Sequence, residues 1–78
     1  MLPILNMEIR KIFARNMKAR RKAMGLSQEE LAHRAGLDRT YIGSLERCKY
    51  GVTIDALAKI ASELELKPAK LLDETFEG

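Results

Sequence analysis

Tryptophan is absent from this 78-residue chain, cysteine occurs once and proline twice. A single cysteine, Cys48, excludes an internal disulfide and is compatible with a reducing cytosol. No apolar run approaches the ~18 residues that a membrane span needs, so no membrane partner is expected. The opening MLPILN carries Leu2, Ile4 and Leu5, but it is too short for a signal peptide and has no basic start. Met7 is an alternative start, so residues 1–7 read as an N-terminal extension ahead of a single domain over residues 8–78. Aromatics are few, two Phe and two Tyr, and most apolar side chains are Leu, Ile, Ala and Met, which favours helices over a sheet. His33 is the only histidine, and with Cys48 alone it cannot supply the roughly four ligands of a zinc site. No Ser/His/Asp set, Gly-rich phosphate loop or metal motif is present. Catalytic residues, metal and cofactor are therefore all expected to be none, and the chain is not read as an enzyme.

What is present fits one small folded domain. Hydrophobic residues make up 46% and charged residues 32%, ordinary values for a soluble globular protein. A chain this short buries a modest share of its surface, so a helical bundle or a dimer would help it. The charge is uneven. Residues 1–51 carry eleven Lys/Arg against five Asp/Glu, and residues 52–78 carry three against six. A basic first part and an acidic second part suggest one side turned to a polyanion, with ordinary solvated charge as the plainer alternative.

Five helices follow from periodicity and caps. Ile9, Ile12, Phe13 and Met17 recur at helical spacing, predicting a helix from about Glu8 to Met24, with Gly25 and Leu26 as a Schellman-type stop. Ser27 and Glu30 form an S-x-x-E capping box for the second helix. Leu31, Ala32 and Ala35 face inward there, and Gly36 supplies a left-handed turn. Asp38 is a good N-cap for a third helix that runs to about Arg47 and buries Ile42 and Leu45. Thr53 caps a fourth helix with the stripe Ile54, Leu57, Ile60, Ala61 and Leu64. Pro68 opens a short fifth helix carrying Leu71, Leu72 and Phe76. No convincing strand is seen, so the expected fold class is all-α, a compact five-helix domain.

Helices two and three, joined at Gly36 and spanning about 28–47, have the form of a helix-turn-helix, a device that lays one helix in the DNA major groove. Gln28, Leu31, Ala32, Gly36, Leu37, Ile42, Leu45 and Glu46, with the flanking GLSQEELA at 25–32, resemble the phage-repressor-like helix-turn-helix family (lambda, 434 and Cro type). Within it, LDRTYIGSLER at 37–47 in so short a chain is most similar to the controller proteins of restriction–modification systems.

The resemblance implies a lambda-repressor-like fold and a sequence-specific transcriptional regulator that binds a near-palindromic operator as a homodimer in the cytoplasm. Its partners would be double-stranded DNA, a second copy of the chain, and RNA polymerase at the promoter. Arg39, Thr40 and Ser44 match the outward positions that read bases. Arg39 is the strongest candidate, because a guanidinium grips guanine O6 and N7 together. Gln28 matches the phosphate-holding residue at the start of helix two, itself a favourable anion site. Tyr41, Arg47, Lys49 and Tyr50 are the further phosphate candidates. Arg21 lies on the apolar stripe of helix one, where a charge needs a partner, and the family pairs the matching Arg with the residue matching Glu46. A dimerisation region is placed over about 52–76, with Ile54, Leu57, Leu64, Leu71 and Leu72 as its contacts.

Two positions depart from the family. Cys48 stands where many relatives have Gly. Because Cys is costly in a left-handed conformation, helix three is expected to end differently, stopping at Gly51. Arg20 stands where relatives often have an aliphatic residue, and is read as a solvated surface charge. The competing functional readings are a phage or prophage repressor, and an antitoxin or adaptor whose acidic C-terminal half docks a protein.

Overall fold

The computed structural model describes residues 5–77. It has five helices: α1 Leu5–Ala23, α2 Gln28–Ala35, α3 Arg39–Glu46, α4 Ile54–Glu63 and α5 Pro68–Leu71. No strand occurs among the described residues, and no described helix is long and apolar enough to cross a membrane. Helix α1 begins at Leu5, ahead of the expected Glu8, while the rest of the segment read as an extension, residues 1–4, lies outside the described residues.

The caps explain where the helices begin. Ser27 Oγ accepts from Glu30 N–H at 3.0 Å, and the Glu30 carboxylate accepts from Ser27 N–H at 2.8 Å, completing the capping box. Thr53 Oγ1 accepts from Ala56 N–H at 3.1 Å and starts α4. Asp38 holds the N-cap place of α3, but its side chain makes no capping bond.

Four helices end in one motif. The N–H of a left-handed residue bonds three residues back and the next N–H bonds five back, which satisfies carbonyls the helix leaves unpaired. Gly25 (φ 72°) and Gly36 (φ 69°) do this after α1 and α2. Cys48 and Glu65, both at φ 59°, do it after α3 and α4. Helix α3 therefore stops at Glu46, and the expected run to Gly51 is corrected. The Cys48 N–H to Leu45 carbonyl bond (3.1 Å) and the Lys49 N–H to Ser44 carbonyl bond (2.9 Å) close the helix end with a non-glycine residue in the left-handed place.

One core joins all five helices. Met17, Leu31, Ile42, Leu45, Ile60, Leu64 and Leu71 are completely or almost completely buried. Two polar side chains of α1 reach back to the later helices. Asn16, 1% exposed, donates through Nδ2 to the carbonyls of Leu71 (3.1 Å) and Asp73 (2.8 Å), tying α1 to the end of α5. Arg20 Nε donates to the Leu64 carbonyl at 2.9 Å, at the negative end of α4. Arg20 is thus half-buried and engaged with α4, not merely solvated.

Beyond α5 the chain is held by Asp73, whose Oδ1 accepts from Thr75 Oγ1 (2.7 Å) and Thr75 N–H (2.8 Å). These bonds hold the Asp73 carboxyl below its ordinary 3.8, and the Ser27 bonds hold Glu30 below its ordinary 4.5. A depressed carboxylate stabilises the fold above its unfolded-state pKa and loses that contribution as pH falls through the folded value. Asp73→Ala should therefore lower the melting temperature at neutral pH, with the gap to the parent closing as pH falls below 3.8. Thermal melts across that range check it; a pH-independent gap would reject the assignment.

Candidate nucleic-acid interface

Helix α3 is short, eight residues, and only one edge of it reaches solvent. Ile42, Gly43, Ser44 and Leu45 are buried, which leaves Arg39 and Thr40 exposed on the first turn and Arg47 exposed just past the last. The expectation that Ser44 faces outward is corrected, since it is 5% exposed. With α2 and α1 both packed against α3, the inward arc is wider than an Ile42/Leu45 stripe suggests, and it takes in Ser44.

Arg39, Thr40 and Arg47 gather around a recess of about 160 Å³ with Gln28 and Gly43. Gly43 makes the recess possible. A Cβ there would lie 3.2 Å from Arg47 Nη1 and 3.3 Å from Gln28 Oε1, so any larger residue pushes both side chains away. Gln28 is the first residue of α2, where N–H groups of the first turn lack intrahelical partners. The recess thus combines two arginines, a hydroxyl, an amide and a helix N-terminus, a donor set suited to phosphate oxygens and base edges.

The Gln28 side chain is fixed from behind. Its Nε2 donates to Glu46 Oε1 at 3.0 Å. The same carboxylate receives Arg21 Nη2 on Oε1 (3.0 Å) and Arg21 Nε on Oε2 (2.7 Å), a two-pronged ion pair with side chains 8% and 4% exposed. Arg21 Nη1 also donates to the Leu26 carbonyl at 2.7 Å. One arginine therefore clamps α1, the turn before α2 and α3.

The remaining candidates lie further along the chain. Tyr41 is half-buried against the core, and its hydroxyl accepts from Thr53 N–H at 3.3 Å. Its oxygen faces the start of α4, and only its own proton remains to be donated outward. Lys49 and Tyr50 are exposed on the loop between α3 and α4, Tyr50 by 58%. Arg10, which the sequence did not single out, lies across this loop: a Cβ on Gly51 would be 3.1 Å from its Nε. Nothing in the one-dimensional pattern marks Arg10, because the contact joins α1 to a loop some forty residues on.

The expected self-association contacts divide. Leu64 and Leu71 are fully buried inside the subunit, so their place in an interface is corrected. They fill the space where α4 and α5 turn back on α1, and the core has room for more of the leucine-rich segment than its sequence suggests. Leu57 forms the floor of a surface groove and Leu72 its half-buried side, while Ile54 is 79% exposed.

Strain at Cys48 gives a direct test of the helix end beside this surface. A left-handed residue other than glycine costs roughly 1–2 kcal/mol, and the freer unfolded chain of glycine returns about 0.4–1 kcal/mol of that. Cys48→Gly should therefore stabilise the protein by about 0.5–1 kcal/mol in urea denaturation. A loss of stability would show that the Cys48 Sγ contact to the Arg10 carbonyl, 3.7 Å, outweighs the strain.

A helix-turn-helix family model matches residues 17–71. The chain is 46% identical over 66 residues to control protein C.SmaI of Serratia marcescens, covering 85% of this chain and 79% of that protein. It is 38% identical over 71 residues to control protein C.BamHI of Bacillus amyloliquefaciens, covering 90% and 88%. The crystal structure of the restriction-modification controller protein C.AhdI from Aeromonas hydrophila superposes with a TM-score of 0.77 at 39% identity, over 80% of this chain and 94% of that one.

Proposed function

This chain belongs to the helix-turn-helix family of transcription regulators, and from that premise we propose that it binds a near-palindromic operator as a homodimer and serves as the controller of a restriction–modification system. The observation that carries the reading is the α3 edge: Arg39 and Thr40 stand exposed beside a recess shared with Gln28, Gly43 and Arg47. The similarity to two control proteins and a solved controller protein supports the subtype.

In the complex, α3 enters the major groove. Arg39 pairs with a guanine and Thr40 touches an adjacent base edge. Gln28, Arg47, Lys49 and Tyr50 hold phosphates, which set register without reading sequence. Tyr41 supports the same contact through its one remaining proton. A two-fold axis places the second α3 one DNA turn away, ~34 Å, so the operator carries two related half-sites. Occupancy of the promoter, in the cytoplasm, then excludes or recruits RNA polymerase.

Binding-site selection with the purified protein should return a two-fold-related motif. Arg39→Ala should weaken binding to it by about 1–3 kcal/mol and relax the preference at one base pair per half-site. Affinity should also fall steeply with salt. A selection that returns no motif, or a motif that Arg39→Ala leaves intact, would reject the reading.

A further inference from the structure

Resting on the DNA-binding reading above, we infer that Arg10, on α1, is a further phosphate contact that carries the DNA-backbone track past the end of α3. Arg10 is exposed, and its guanidinium lies against the loop after α3, with Nε 3.1 Å and Nη2 3.4 Å from where a Cβ on Gly51 would stand. Its backbone is tied to the same helix end, because the Arg10 carbonyl accepts from Cys48 Sγ at 3.7 Å. Arg47 is placed in a like manner, its Nη1 3.2 Å from where a Cβ on Gly43 would stand. Two residues without side chains thus each give an arginine its resting place, one within α3 and one past it. Arg47, Lys49 and Arg10, all exposed, gather at the exit of α3.

The charge at this place calls for an anion. Among the described residues the Arg10 side chain makes no hydrogen bond or salt bridge. Glu46, the carboxylate at the end of α3, is spent on Arg21 and Gln28, and Asp55, exposed in the first turn of α4, makes no salt bridge with Arg10. Like charges held together without a counter-charge repel one another, so the folded chain gains nothing from the cluster by itself. A phosphate backbone turns it to use. Each cation brought against a phosphate releases bound counterions, and a guanidinium offers several charge-assisted N–H donors to the phosphate oxygens. Such a contact positions the protein and does not read sequence, since a phosphate carries no base identity.

The test uses the full chain, the duplex returned by binding-site selection and a random duplex of equal length, with circular dichroism to confirm folding and sedimentation to follow association. Arg10→Ala should weaken binding to both duplexes by about ten- to thirtyfold near physiological salt. The fall of log affinity with log salt should become shallower by about two, one phosphate for each subunit of the dimer. The selected motif should not change. Arg10→Lys keeps the charge and should keep most of the slope. Gly51 is not in the left-handed region, so its backbone accepts alanine. Gly51→Ala should displace the guanidinium and weaken binding in the parent, yet add nothing once Arg10 is alanine. An Arg10→Ala protein with the parent's affinity and salt slope overturns the contact. A changed motif overturns it in favour of base reading, and a changed sedimentation of the free protein overturns it in favour of a role between copies. A parent that binds neither duplex overturns the DNA-binding reading itself.

Discussion

Replacing Arg21 by methionine is expected to destabilise the protein by about 3–5 kcal/mol, the usual cost of stripping one partner from a buried ion pair. The Glu46 side chain is 4% exposed. Without Arg21 it would keep the single Gln28 amide bond at 3.0 Å, too little for a desolvated carboxylate. The Leu26 carbonyl would lose its 2.7 Å donor as well. Small domains have only about 5–15 kcal/mol to lose, so the variant should sit near the edge of folding. The double change Arg21→Met with Glu46→Leu removes both charges and should recover most of the loss, since apolar replacements of a buried pair are often neutral or better. Urea denaturation of the three proteins gives the answer. A single variant within about 1 kcal/mol of the parent would mean that the pair is a surface ornament.

The second large effect is expected at Asn16. Its Nδ2 reaches the carbonyls of Leu71 and Asp73, and its Oδ1 accepts both Arg15 Nε and Nη2 at 3.1 Å. Alanine would leave the Leu71 carbonyl without this donor in the interior and open a small void, together costing about 2–3 kcal/mol. The loss should be local before it is global. Helix α5 is a single turn, Pro68–Leu71, and Asn16 with Arg15, which donates to the Glu74 carbonyl at 2.7 Å, is its polar tether to α1. Hydrogen exchange should show the amides of Leu71 and Leu72 opening well before those of α2 and α3. Uniform loss of protection across the molecule would argue against a tether.

Much of the fold is legible in the sequence because its punctuation is local. The Ser27–Glu30 box, Thr53, Pro68 and the two glycines at 25 and 36 each mark a boundary by chemistry that acts within a few residues. Cys48 and Glu65 end their helices in the same left-handed way, but a non-glycine residue carries no sign of it, and only the hydrogen bonds of the folded loop reveal the cost. Helical periodicity gave Ile42 and Leu45 to the core and left Ser44 outside. A third helix packing on α3 decided otherwise, and no pattern within α3 contains that neighbour. Ile54 shows the opposite case: it fits the α4 stripe by spacing, yet it lies at the helix start, beyond the edge of the core. Asn16 and Arg20 were missed or misread for a shared reason. A polar residue within an apolar stripe can be solvated or can cap a distant helix, and the distinction rests on carbonyls some fifty residues away. The candidate site was legible as a set of types, with Arg39, Thr40, Gln28 and Arg47 meeting at one recess; the glycine that makes room for them was not.

The carboxylate of Glu46 has a consequence for affinity. Because Gln28 is already bonded to it, the amide is aimed before any DNA arrives. Ordering a glutamine side chain costs up to about 1.5–2 kcal/mol of rotamer entropy. In the proposed complex that cost is met during folding and drops out of the encounter, a preorganisation that can tighten the operator contact by up to roughly ten- to thirtyfold without adding any contact to DNA.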